Sequence, residues 1–221
     1  MSYITDVLAI TGICPILVKA DPESAVMAAK ALARGGDPVL EVLLRDEESY
    51  VNIQKIANEA PETAVGAGTV LNLEQAKRVA DLGVKFMVSP GFNPKVVEFC
   101  LDHDILALPG CITPSEITMA LEYGIDVVKF FPVYQMGGIE TLKQYTFGPF
   151  PTVKYVVTGG LGKDNFLPLL RHKNTLAAGG DWMFTEHHAL ENGNFEQIED
   201  NIRHCIYQVL DQREEINNNQ L

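Results

Sequence analysis

Short apolar, β-branched runs recur along the chain, each followed by a longer stretch in which apolar residues return every three or four positions. The runs are CPILVK (14–19), PVLEVLL (38–44), TAVGAGT (63–69), KFMVSP (85–90), ILALPG (105–110), DVVKFFP (126–132), KYVVTG (154–159) and TLAAGG (175–180). Runs of this length and composition predict strands. Between them the pattern predicts helices. Asp21-Pro22-Glu23 opens one with an N-cap and a proline at the first helical position, and Gly35-Gly36 stops it. Similar stretches lie at 47–59, 72–82, 94–103, 114–123, about 138–145 and 163–170. A last segment, about 195 to 213, carries Ile198, Ile202, Ile206 and Val209 on one helical face, and the polar tail EEINNNQL is expected to fray.

Strands alternating with helices imply parallel strands joined by right-handed crossovers. Eight such units within 221 residues predict a single-domain α/β fold, a (β/α)₈ TIM barrel spanning residues 1–221. An open doubly wound sheet is the rival architecture. It is disfavoured because no GxGxxG follows the first strand and because the strand number matches barrel closure.

A strand buried on both faces reads as an apolar run, so charges inside such runs carry information. In the second strand Glu41 and Arg45 share parity and point to one face. The sixth holds a single lysine, Lys129, between Val128 and Phe130. Pointing inward, these groups bring an acid, a guanidinium and an amine to the barrel mouth, where catalytic groups of such barrels sit. The plain alternative is a structural ion-pair network. A lysine in low dielectric tends to lose its proton, and a neutral amine forms Schiff bases with carbonyls.

The loops point to a small anionic ligand. Thr158-Gly159-Gly160-Leu161-Gly162 follows strand seven and Gly179-Gly180-Asp181 follows strand eight. Glycines let backbone N–H groups approach a ligand, and barrels commonly build phosphate sites from these two loops. Thr69, ending strand three, either donates to a carboxylate or caps the following helix.

Charge narrows the partners. With 17 basic against 29 acidic residues the net charge is −12, which sets the chain against nucleic acid. An anionic metabolite then needs a local positive site. No apolar stretch reaches membrane-spanning length. The N-terminal segment lacks the basic start and small-residue cleavage site of a secretory signal. Cys14, Cys100, Cys111 and Cys205 are far apart without zinc spacing, so reduced thiols in a cytoplasmic protein are expected. Cys111, just after strand five, reads as an inert small hydrophobe, and Trp182 as packing near the end of strand eight. A metal-dependent enzyme would need converging ligands, but His187-His188 are sequence neighbours outside the strands and read as surface residues. His103, His172 and His204 show no ligand spacing either.

Taken together, LEVLLR (40–45), VGAGTV (65–70), SPG (89–91), VVKFFP (127–132), VTGG (157–160) and AGGDW (178–182) form an ordered set. On these motifs the chain, from about residue 5 to 210, resembles the bacterial 2-keto-3-deoxy-6-phosphogluconate / 4-hydroxy-2-oxoglutarate aldolases. The resemblance implies a homotrimeric (β/α)₈ barrel and class I chemistry with no cofactor and no metal. It implies that Lys129 forms the Schiff base and that Glu41 shuttles protons. Arg45 and Thr69 would hold the carboxylate of the pyruvate portion, while Pro90 and Phe131 line the pocket. Thr158 would contact a substrate hydroxyl or carbonyl, and Gly159, Gly160 and Gly180 would belong to the distal, phosphate-facing loops.

The chain departs from that pattern at the distal end. Asp181 stands where the family usually has Ser or Thr, Leu43 and Asp46 replace hydroxyl residues, and VTGG replaces PTGG. An ionised Asp181 would repel phosphate and suit a non-phosphorylated 2-keto-3-deoxy acid, while Lys163 would restore positive charge near the loop. Alternatively, Asp181 caps a short helix beginning at Trp182.

Overall fold

Eight parallel strands and the helices between them follow the alternation in the sequence. The computed structural model describes residues 2–218. The strands are β1 (Ile13–Leu17), β2 (Val39–Leu43), β3 (Ala64–Gly68), β4 (Phe86–Val88), β5 (Leu106–Leu108), β6 (Val127–Phe130), β7 (Lys154–Thr158) and β8 (Thr175–Gly180). The helices are α1 (Tyr3–Thr11), α2 (Pro22–Arg34), α3 (Glu47–Glu59), α4 (Leu73–Ala80), α5 (Pro94–Asp102), α6 (Pro114–Glu122), α7 (Gly138–Phe147), α8 (Leu167–Leu170), α9 (Trp182–Thr185) and α10 (Phe195–Asn218).

The sheet runs β5-β4-β3-β2-β1-β8-β7-β6, every ladder parallel. It closes between its two ends. Lys129 N donates to Pro109 O and Cys111 N donates to Lys129 O, each at 2.9 Å. The open-sheet alternative is thereby excluded. The closing seam passes through the backbone of Lys129, so that side chain is anchored where the barrel is sealed.

Apolar packing forms two shells. Residues such as Leu32, Ile53, Val65, Phe130 and Tyr155 fill the space between helices and sheet. Inside the barrel, Cys14, Val39, Phe86, Val88, Leu108, Val127, Val156 and Leu176 meet Ile4 and Leu8 of α1. The helix α1, which the strand-helix alternation did not include, therefore plugs the N-terminal mouth. Its signals are local: Ser2 Oγ accepts from Thr5 N, and Gly12 ends it at φ 70°.

Two expectations are corrected at the C-terminal end. The helix predicted over 163–170 shortens to Leu167–Leu170, because Asn165 caps a turn by accepting from Gly162 N at 2.8 Å. The last helix, predicted to about 213, runs on to Asn218, and residues 219–221 lie outside the described residues. Arg213 fastens this helix to α1, its Nη1 donating to Ala9 O (2.6 Å) and Ile10 O (3.0 Å). The terminal helix thus covers the flank of the barrel.

Candidate active site

The strands stop short of the polar residues that end their sequence runs. Arg45, Thr69, Pro90, Phe131, Gly159, Gly160 and Asp181 all lie in the segments just past β2, β3, β4, β6, β7 and β8. Together with Lys129, Thr158 and Gly180 they line one cavity of about 380 Å³ at the C-terminal mouth. Ile16, Val18, Leu43, Leu161 and Gly179 complete its wall. Of these, Ile16 and Val18 were not singled out from sequence; they share parity with Cys14, the only local signal of an inward face.

Lys129 lines this cavity, and Glu41 lies beside the Lys129 amine. Both are buried, at 7% and 1% exposure, and Nζ is 3.7 Å from Oε1. That separation exceeds a hydrogen bond, and Oε1 has no other partner. The other carboxylate oxygen is 4.0 Å from the Cys14 thiol. Burial and, secondarily, the Glu41 charge push that thiol well above the usual range, so it stays protonated. A buried carboxylate this sparsely satisfied is expensive if its only role is structural. The Lys129 amine also lies 5.4 Å from the centre of the Phe131 ring, over its face.

Glycine makes the room. A β-carbon at Gly68 would lie 2.1 Å from Glu41 Oε1. The glycine at the inward-facing end of β3 is therefore what admits the carboxylate, a function legible in VGAGT only once the barrel is closed. Gly66 does the same for the Phe86 ring, at 2.4 Å.

Thr69 adopts φ 63°, a strained conformation for a β-branched residue. It does not cap α4. Asn72 does, its Oδ1 accepting from Gln75 N at 2.9 Å. Thr69 is thus left to the cavity. Asp46 is the N-cap of α3 in a reciprocal box with Ser49, which accounts for an acid next to Arg45. Arg45 itself is exposed at the rim, and no carboxylate among the described residues pairs with its guanidinium. The Thr158 hydroxyl is buried without a hydrogen-bond partner.

Asp181 precedes α9 but its side chain makes no capping bond, which corrects the capping alternative. Lys163 is not free to offset it, because its Nζ pairs with Glu186 Oε1 at 2.5 Å. Trp182 packs at the end of β8 as expected, stacked on Phe166 and donating to Cys205 Sγ at 3.1 Å. Cys111 lies in the helix-facing shell, its thiol pushed up to about 12 by burial. His187 and His188 are exposed and face Glu186 and Glu191.

Comparison with known proteins agrees with this arrangement. The family model "KDPG and KHG aldolase" matches residues 4–201. The chain belongs to the KDPG and KHG aldolase family. Its members are lyases. It is 40% identical over 186 residues to the KHG/KDPG aldolase of Escherichia coli (strain K12), covering 84% of this chain and 86% of that one. It is 38% identical over 198 residues to the 2-dehydro-3-deoxy-phosphogluconate aldolase of Treponema pallidum, covering 90% and 93%. Among solved structures, the KDPG aldolase of Legionella pneumophila, with pyruvate captured as a covalent carbinolamine, superposes with a TM-score of 0.85 at 32% identity, covering 92% and 98%. The 2-keto-3-deoxy-6-phosphogluconate aldolase of Zymomonas mobilis ZM4 with 3-phosphoglycerate does so at 0.78 and 30%, covering 89% and 95%.

Proposed function

We propose that this chain is a class I aldolase that reversibly cleaves a 2-keto-4-hydroxy acid to pyruvate and an aldehyde, with Lys129 as the Schiff-base nucleophile. The observation that carries the reading is the buried amine–carboxylate pair, 3.7 Å apart, opening onto a cavity walled by Arg45 and Thr69. The carbinolamine captured in the Legionella relative supports the same bond type.

The uncharged Lys129 amine attacks the C2 ketone. Loss of water from the resulting carbinolamine leaves a protonated imine, which draws electrons from the C3–C4 bond. As that bond breaks, Glu41 takes the C4 hydroxyl proton, directly or through water, and the aldehyde departs. The remaining enamine is reprotonated at C3, and water returns to C2 to release pyruvate and the free amine. Arg45 offers a carboxylate two parallel donors, and Thr69 adds a hydroxyl. Their position past the ends of β2 and β3, on the wall of the same cavity as Lys129, suits the pyruvate carboxylate. Thr158 brings its unpartnered hydroxyl to a substrate oxygen. Pro90 and Phe131 shield the imine, and Gly159, Gly160 and Gly180 receive the far end of the substrate.

The chain also fits a homotrimer on family resemblance; Tyr134, Met136 and Phe147 on the 131–147 segment are exposed apolar side chains that a subunit contact would cover. Four free, buried cysteines accord with a reducing, cytoplasmic setting. No helix among the described residues is long and apolar enough to cross a membrane.

The test is pyruvate release from 2-keto-4-hydroxy acids in EDTA, followed by a coupled lactate dehydrogenase assay. Full activity in EDTA and a large loss of kcat in Glu41→Gln are expected. Activity that EDTA abolishes and a divalent metal restores would replace this mechanism with a metal-dependent one.

A further inference from the structure

The two sides of the cavity mouth differ in charge. Past β2 and β3 stand a guanidinium and a hydroxyl, Arg45 and Thr69. Past β7 and β8, across β1 from them, the wall consists of Gly159, Gly160, Leu161, Gly180 and Asp181, without a cationic side chain. The nearest lysine in sequence, Lys163, is engaged by Glu186. The Asp181 carboxylate has no hydrogen-bond or ion-pair partner among the described residues, and it forms no cap. A substrate held by its carboxylate at Arg45 and by its ketone at Lys129 therefore extends its other end towards an unpaired anion.

We propose that Asp181 sets the specificity of this site for 2-keto-3-deoxy acids whose far end is an uncharged polyol rather than a phosphate ester. The proposal deepens the aldolase reading and rests on it. A phosphate monoester carries close to two negative charges at neutral pH. Beside Asp181 it meets like charge, with no lysine or arginine in that part of the wall, and like charges brought together across a binding site oppose association. A terminal hydroxyl is a donor as well as an acceptor, and a carboxylate accepts from it. At Gly160 a β-carbon would meet nothing within 4 Å, so that part of the wall leaves space for hydroxymethyl groups. The names of the relatives from Treponema pallidum and Zymomonas mobilis specify a phosphorylated sugar acid. This chain would thus share their bond-breaking chemistry while differing in the tail it accepts.

The experiment compares kcat/KM for 2-keto-3-deoxygluconate and for its 6-phosphate, in the parent protein and in Asp181→Asn and Asp181→Ser. The ratio of the two values within one protein cancels any loss of folded enzyme. The parent is expected to favour the unphosphorylated acid by about 100-fold, and each substitution to move the ratio towards the phosphate ester by about tenfold or more. The shift should shrink as salt is raised, since the rim is reached by solvent. A parent that prefers the phosphate ester overturns the proposal but leaves the aldolase reading intact. A ratio that neither substitution moves does the same. Pyruvate from neither substrate, together with no pyruvate adduct on Lys129, overturns both.

Discussion

Replacing Gly68 by alanine adds one methyl group to the barrel interior, directly against Glu41 of the proposed catalytic pair. The new β-carbon would lie 2.1 Å from Glu41 Oε1, 2.6 Å from Leu43 Cδ2 and 2.8 Å from Glu41 Cδ. Real β-carbons keep at least 3.0 Å, so the carboxylate must retreat by about 0.9 Å. The Glu41 side chain is 1% exposed and enclosed by packed residues, so it cannot swing into open space. A displacement of that size in a proton-transferring group costs on the order of 100-fold in rate. The loss should fall mainly on kcat for cleavage, because the substitution leaves the proposed substrate contacts at Arg45 and Thr69 in place. Gly68 has an ordinary strand conformation that alanine adopts without strain, so thermal unfolding confirms the fold while a coupled pyruvate assay reads the rate. Pyruvate should still be trapped on Lys129, though more slowly. A folded Gly68→Ala protein with kcat within about threefold of the parent would refute the claim that this glycine sets the Glu41 position.

Other substitutions probe other parts of the account. Burial holds the Asp37 carboxyl well above the usual range, against opposing pulls from the Thr11 hydroxyl and the Val39 amide that fall outside hydrogen-bond geometry. The folded state therefore holds this proton more tightly than the unfolded chain. Its stabilising contribution is full below about pH 4 and is lost as pH rises through the raised folded value. Melting curves of Asp37→Asn should gain steadily on the parent as pH rises from that point; parallel curves would contradict it. Thr69→Gly relieves about 1–3 kcal/mol of backbone strain, while the unfolded chain gains about 1 kcal/mol of entropy. Its melting temperature should hold or rise as KM rises, and an unchanged KM would remove Thr69 from the site. Leu8→Ala, at the N-terminal plug, should cost about 2–5 kcal/mol in denaturant unfolding with kcat of the folded protein retained.

The barrel was legible because parallel strands buried on both faces leave apolar runs of a length helices do not share. The same rule made Glu41 and Lys129 conspicuous, as charges where none belong. Arg45 stood out with them through its shared parity with Glu41, although it lies past the end of β2, and Asp181 through its place after strand eight. What sequence did not reveal has physical causes. The α1 plug has ordinary capping signals, but a helix before the first strand lies outside the repeating unit that organised the rest. Gly68 reads as any strand glycine until the opposing side chain is known. The pairing of Lys163 with Glu186 joins loops 23 positions apart and depends on the turn after α9. Asp181 illustrates the limit of local reasoning most clearly. A residue of its type before Trp182 reads as a cap, yet its φ of −114° and ψ of 4° leave the carboxylate uninvolved in the helix.

The proposed reaction turns on a covalent bond between the ε-amine of residue 129 and a ketone carbon. The direct measurement is incubation with pyruvate and borohydride, then peptide mass mapping of the parent and Lys129→Met. A reduced pyruvyl group on the Lys129 peptide of the parent, absent from the variant, is the predicted result. No stable adduct in the parent, or one carried by a different lysine, would contradict the central claim.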